Sequence, residues 1–136
     1  MNIIINTSVQ NQTTIVLDGG GLFYSHSFSS EFHQSEELLK EIDLFLKKKK
    51  VSLKALKGIG VVLGPGPFTA LRMGVVAANT LGYALNIKTA GLKQNKFKTT
   101  KEMVERFRSK FKKARGFKIL EPFYGRTPNI TKSKKK

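Results

Sequence analysis

The side chains best suited to chemistry in this chain are the carboxylates Asp18 and Asp43, the histidines His26 and His33, and the hydroxyls of Thr7, Ser8 and Ser35. Metal-assisted hydrolysis or phosphoryl transfer needs clustered carboxylates around a divalent ion. Asp18 instead falls in an Asp-Gly-Gly-Gly turn, where a carboxylate serves the local backbone, and Asp43 lies beside an apolar helical stripe, on the solvated side. Two histidines with no third ligand at a recognisable spacing do not make a zinc or iron site, and the hydroxyls have no evident base partner. The turn Gly64-Pro65-Gly66-Pro67-Phe68-Thr69 leads from a strand into a helix, a place where free N–H groups attract anions. It lacks the Lys-Ser/Thr ending of a phosphate loop, and Pro67 removes one donor. No catalytic residue, metal site or cofactor is expected, and the chain reads as non-enzymatic.

The elements that must position these residues follow from hydrophobic periodicity. Residues 2–7 and Thr13 to Leu17 read as strands. Asp18-Gly19-Gly20-Gly21 supplies the positive-φ positions of a tight hairpin turn, and Leu22 to Phe28 returns as a third strand. Leu38, Leu39, Ile42, Phe45 and Leu46 recur at helical spacing, predicting a helix over about 35–50. Glu36 and Glu37 at its start and Lys47 to Lys50 at its end complement the helix dipole. A strand over 58–63, a helix over 67–85 and a strand over 87–91 follow. Residues 68–85 contain no carboxylate and one cation, Arg72. A helix without a solvated face must be covered on both sides, one by its own sheet and the other by a second helix or another protein. A membrane span of ~20 residues would leave Arg72, Asn79 and Tyr83 in lipid, so none is expected.

Composition sets the outer bounds. The chain has 136 residues, enough for one modest core. It contains no cysteine, which excludes a disulfide framework and a thiol nucleophile. The opening Met-Asn-Ile-Ile-Ile-Asn has no basic flank, so no secretion signal is expected, and the location expected is cytoplasmic. The net charge of +16 is unevenly spread, with about +3 in residues 1–92 and about +13 in residues 93–136. This step predicts a globular domain over 1–92 followed by a basic helix and disordered tail over 93–136. Within the second part Met103, Val104, Phe107 and Phe111 keep helical spacing among many cations, predicting a basic amphipathic helix over 100–115. Packing on the domain, binding to RNA phosphates through Arg108, Lys112, Lys113 and Arg115, and lying on a membrane surface all remain open for it.

Gly64-Pro-Gly-Pro-Phe-Thr-Ala-Leu-Arg-Met-Gly74 resembles the Gly-Pro-Gly-Ser-Phe-Thr-Gly-Leu-Arg-x-Gly signature of the TsaB (YeaZ) family. Ile3-Ile4-Ile5-Asn6-Thr7-Ser8 is similar to that family's opening strand, which usually ends Asp-Thr-Ser. His33-Gln34-Ser35-Glu36-Glu37-Leu38-Leu39 resembles its entry to a first helix, and Leu81 to Ile87 its second helix end. The resemblance covers residues 1–92. It implies a ribonuclease H-like, actin-like ATPase subdomain, α/β with a mixed five-stranded sheet in the order β-β-β-α-β-α-β. It also implies a non-catalytic accessory subunit that docks on a TsaD-type catalyst to make threonylcarbamoyl-adenosine in tRNA.

Carried over residue by residue, the partner interface falls on the first two helices, with Phe68, Leu71, Arg72, Val75, Ala78 and Asn79 as contacts. A TsaD-type heterodimer or a homodimer would form through them, with tRNA on the basic C-terminal part. The chain departs from the family in having Asn6 for Asp, Pro67 for Ser and Ala70 for Gly, and in lacking most of a second subdomain. That last departure puts a bridge to the ATPase subunit TsaE in doubt. Pro122-Phe123-Tyr124-Gly125-Arg126 faintly resembles the family's Pro-x-Tyr-x-Arg ending. Two other readings compete: a stand-alone basic RNA-binding protein on an inactive ribonuclease H-like scaffold, and a degenerate phosphotransferase that retains nucleotide binding.

Overall fold

A computed structural model describes residues 1–29 and 35–125. The strands are β1 (Asn2–Val9), β2 (Gln12–Asp18), β3 (Phe23–Ser29), β4 (Gly58–Gly64) and β5 (Lys88–Lys93). The helices are α1 (Ser35–Lys48), α2 (Phe68–Leu85) and α3 (Thr100–Lys113). The sheet order is β3-β2-β1-β4-β5. The β1–β2 and β2–β3 pairs are antiparallel, and the β1–β4 and β4–β5 pairs are parallel. The mixed five-stranded α/β order is the ribonuclease H-like one expected, and each helix and strand starts and stops within about two residues of its predicted bound. Pro67 is the residue capping α2 rather than its first helical residue.

Alternation along the central strands divides the interior in two. Ile3, Ile5, Ile15, Leu17, Ile59 and Val61 face one side of the sheet, where Leu38, Ile42, Phe45 and Leu46 of α1 and Val75, Ala77 and Ala78 of α2 cover them. Ile4, Val16, Val62, Ala90 and Leu92 face the other side and are covered by Met103, Val104, Phe107 and Phe111 of α3. The change in charge at residue 93 is therefore no packing boundary. Of the readings open for the basic helix, it packs on the domain: Lys101, Arg106, Lys110, Lys112 and Lys113 are exposed while its apolar stripe covers one face of the sheet. Thr99 caps α3 by accepting a hydrogen bond from the Glu102 N–H at 3.1 Å. The lysine-rich stretch from 126 to the end lies outside the described residues, as does His33.

Two glycines set how closely α3 approaches. A Cβ on Gly60 would stand 2.6 Å from the Phe107 ring, and one on Gly58 would stand 2.7 Å from the Phe111 ring. Both rings thus press against bare backbone of β4, where a side chain would have to displace them. Truncation of a fully buried aromatic costs ~3–5 kcal/mol, so Phe107→Ala is expected to lower the stability in urea by about that amount. Gly60→Val is expected to cost ~1–3 kcal/mol by overpacking. A change below ~1 kcal/mol for Phe107→Ala in equilibrium denaturation would contradict the role given to α3.

Candidate functional site

The signature turn is packed from several sides. Gly64 has φ +125°, and its amide neighbourhood is closed by Phe123, whose N–H donates to the Leu63 carbonyl at 2.8 Å. A Cβ on Gly66 would meet the Ser8 carbonyl oxygen at 2.6 Å, so the loop lies directly against the end of β1. Pro67 makes no side-chain cap. A Cβ on Gly125 would stand 2.8 Å from the Pro65 ring, so the turn also packs against that stretch of chain.

Beyond α3 the chain forms an extended strap over residues 116–124, which sequence reasoning missed. It runs back between β5 and α2. Thr89 Oγ1 donates to the Lys118 carbonyl at 2.6 Å and accepts the Lys118 N–H at 2.8 Å. Asn79 holds Leu120 in the same reciprocal way, with Nδ2 donating to the carbonyl at 3.0 Å and Oδ1 accepting the N–H at 2.8 Å. Phe117 packs against Tyr83 and Tyr124 against Phe68, with ring centroids 5.8 and 4.5 Å apart. The short aromatic run Phe123-Tyr124 was the only trace of the strap in the sequence.

The α2 residues expected at a partner interface divide. Leu71, Val75 and Ala78 are buried in the chain's own interior, and Asn79 is engaged by the strap. Those four are corrected as outward contacts: the helix covers its own sheet with the stripe that contains them. The outward stripe runs through Phe68, Arg72, Val76, Thr80 and Tyr83, four residues or so apart, with Val76 48% and Tyr83 76% exposed. Val76 and Tyr83 were overlooked because a helix apolar all round gives no clue to which side faces out.

The predicted chemical residues mostly serve the fold. Asn6 Oδ1 accepts from both the N–H and the Oγ–H of Ser8, at 3.0 and 2.6 Å. His26 stacks between Phe28 and Phe45, and Thr7 is buried against Gly74. Among the described residues no three His, Cys, Asp or Glu side chains gather as a metal site. Asp18 accepts the Gly20 N–H at 2.9 Å, the turn role expected of it. It also takes a two-pronged ion pair from Arg108, Nε to Oδ2 at 2.9 Å and a terminal nitrogen to Oδ1 at 2.8 Å. Arg108 is thereby corrected as a free RNA contact, since this bond ties α3 to the β2–β3 hairpin. Lys112, Lys113 and Arg115 remain exposed. Burial disfavours the charged form of Asp18, but the hydrogen bonds from Arg108 and Gly20 outweigh it and hold the carboxyl below its usual 3.8.

These features can be compared with known proteins. The family model described as TsaD, tRNA N6-adenosine threonylcarbamoyltransferase, matches residues 4–107. The chain belongs to that family. A tRNA N6-adenosine threonylcarbamoyltransferase of Geotalea daltonii is 34% identical over 89 residues, which are 65% of this chain and 25% of the relative. YeaZ from Pseudomonas aeruginosa superposes with a TM-score of 0.61 at 24% identity, over 68% of this chain and 43% of that one. An uncharacterised protein with similarity to peptidase YeaZ, from the same organism, superposes equally well at 25% identity, over 68% and 42%. The chain therefore spans about a quarter of the curated relative and less than half of each solved structure. It is a partial, TsaB-like member of the tRNA N6-adenosine threonylcarbamoyltransferase family.

Two expectations follow. Asp18 is depressed when folded, so its pairing stabilises the protein fully above the unfolded carboxylate value near 3.8 and is lost as pH falls below it. Arg108→Gln leaves a buried carboxylate unpaired and is expected to cost ~2–4 kcal/mol at pH 7, less below pH 4; adding Asp18→Asn should recover part of the loss. A cost independent of pH in urea denaturation would contradict the pairing. Asn79→Ala removes both bonds to Leu120, worth ~1–2 kcal/mol in all. Hydrogen exchange should show the Leu120 amide deprotected while β1 and β4 amides change little; unchanged protection at Leu120 would contradict the clamp.

Proposed function

We propose that this chain is a non-catalytic accessory unit in tRNA N6-threonylcarbamoyladenosine modification, acting in the cytoplasm by docking on a TsaD-type catalytic subunit. The observation that carries this reading is the outer stripe of α2. The helix has one charged residue in eighteen, and its exposed positions include Phe68, Val76 and Tyr83. Exposed apolar side chains in one row on a helix mark an interaction surface more often than an isolated one does. The α1 helix lies beside α2 on the same side of the sheet. Membership of the tRNA modification family supports the pathway.

The non-catalytic part of the reading rests on what the polar residues already do. Asn6 stands where the resemblance has an aspartate, and its carbonyl is used by Ser8. Asp18 is neutralised by Arg108. Neither offers a free carboxylate for magnesium or for a base.

Aromatic anchors at protein interfaces are worth ~2 kcal/mol or more. Val76→Glu combined with Tyr83→Glu is therefore expected to weaken a complex with a TsaD-type subunit by roughly thirtyfold. Size-exclusion chromatography and circular dichroism should show loss of the complex with the fold intact. A folded double variant that still co-elutes would exclude this face, and magnesium-dependent ATP hydrolysis by the purified chain alone would overturn the accessory role.

A further inference from the structure

Among the described residues, a set of cations lines the edge of the sheet beside β5. Between β5 and α3 lies a groove of about 760 Å³. Its walls carry Lys93, Lys96, Arg106, Lys110 and Lys113, against the two carboxylates Glu102 and Glu105. Arg106, Lys110 and Lys113 stand three or four residues apart and so share one stripe of α3. At the other end of β5 a second depression of about 450 Å³ is lined by Lys54, Lys57, Lys88 and Arg115, with no carboxylate in its lining. The two flank the end of α3, where Lys113 borders one and Arg115, two residues on, the other.

We propose that this edge is a two-station track for the phosphodiester backbone of RNA, with one station on Lys96, Arg106, Lys110 and Lys113 and the other on Lys54, Lys57 and Arg115. Two positive depressions flanking one basic helix end suit an extended polyanion better than a compact one. No aromatic side chain lines either station, so contact is with phosphates rather than stacked bases and carries little sequence preference. The geometry also disfavours a bilayer. A membrane-surface helix inserts its apolar face, and here Met103, Val104, Phe107 and Phe111 are buried against the sheet. The α3 station is on the opposite face of the sheet from α2, the second depression reaches Leu85 and Asn86 at the end of that helix, and the inference does not rest on the docking proposed above.

The test uses the full chain and a mixed-sequence single-stranded RNA of about 20 nucleotides. One variant replaces Lys96, Arg106, Lys110 and Lys113 with Gln, and a second replaces Lys54, Lys57 and Arg115. A third, the charge-matched control, replaces Lys40, Lys47, Lys48 and Lys50 around α1. Circular dichroism checks each fold. Each phosphate contact contributes ~0.7 to the slope of log affinity against log salt for a single strand. The first variant should therefore lose about 3 from the slope and the second about 2, their combination should lose more than either, and the control should lose under 1. An equal loss in the control would show diffuse attraction only and would overturn the track. Unchanged slopes in both track variants would overturn it too. Tight binding to phosphatidylserine vesicles with none to RNA would replace it with a membrane surface.

Discussion

Everything in this fold depends on covering both faces of strands that have no solvated side. Ile3, Ile4 and Ile5 are adjacent and all fully buried, as are Ile59, Val61 and Val62 with Gly60 between. Parallel strands with such runs need layers above and below them. One layer comes from α1, α2 and the strap, the other from α3 alone. Gly58 and Gly60 let the α3 aromatics seat directly on β4, and the Asp18–Arg108 pair fixes the helix to the hairpin across the sheet. Residues 100–113 are thus as much a part of the domain as β1, although their composition is that of a nucleic-acid tail.

That double burden explains which parts of the molecule were legible in the sequence. Apolar runs and the 3.6-residue period placed the five strands and three α-helices, because they record which residues meet the interior. The hairpin turn was legible from Asp18 and the glycines after it. The orientation of α2 was not, since a helix apolar on all sides contains no contrast from which to read a face; hence Leu71, Val75 and Ala78 were expected outside and lie inside. Arg108 looked like one more cation in a basic helix, because its partner is 90 residues away in the chain. The strap was invisible for a different reason. It has no periodicity, and it is held by two polar side chains, Thr89 and Asn79, that read its backbone and not its sequence.

The outward-facing chemistry separates cleanly once the interior is accounted for. Along the outer stripe of α2, uncharged and partly apolar side chains meet solvent beside the single cation Arg72. On the side of α3 and the β5 edge, cations do. The first surface suits a protein and the second a polyanion, and a sheet with helices on both faces can present both at once. Within a family concerned with tRNA modification, that arrangement fits an adaptor whose work is to bring a catalytic subunit and an RNA together.

The most direct measurement exploits the absence of cysteine from the chain. A single thiol carrying a photoactivatable crosslinker is introduced by Val76→Cys on the outer face of α2, or by Ser109→Cys in the groove beside β5. Each labelled protein is irradiated in the presence of both a TsaD-type subunit and tRNA. The account predicts that the Val76→Cys protein couples to the subunit and the Ser109→Cys protein to the tRNA. Crosslinks exchanged between the two positions, or both partners captured equally from either one, would contradict it.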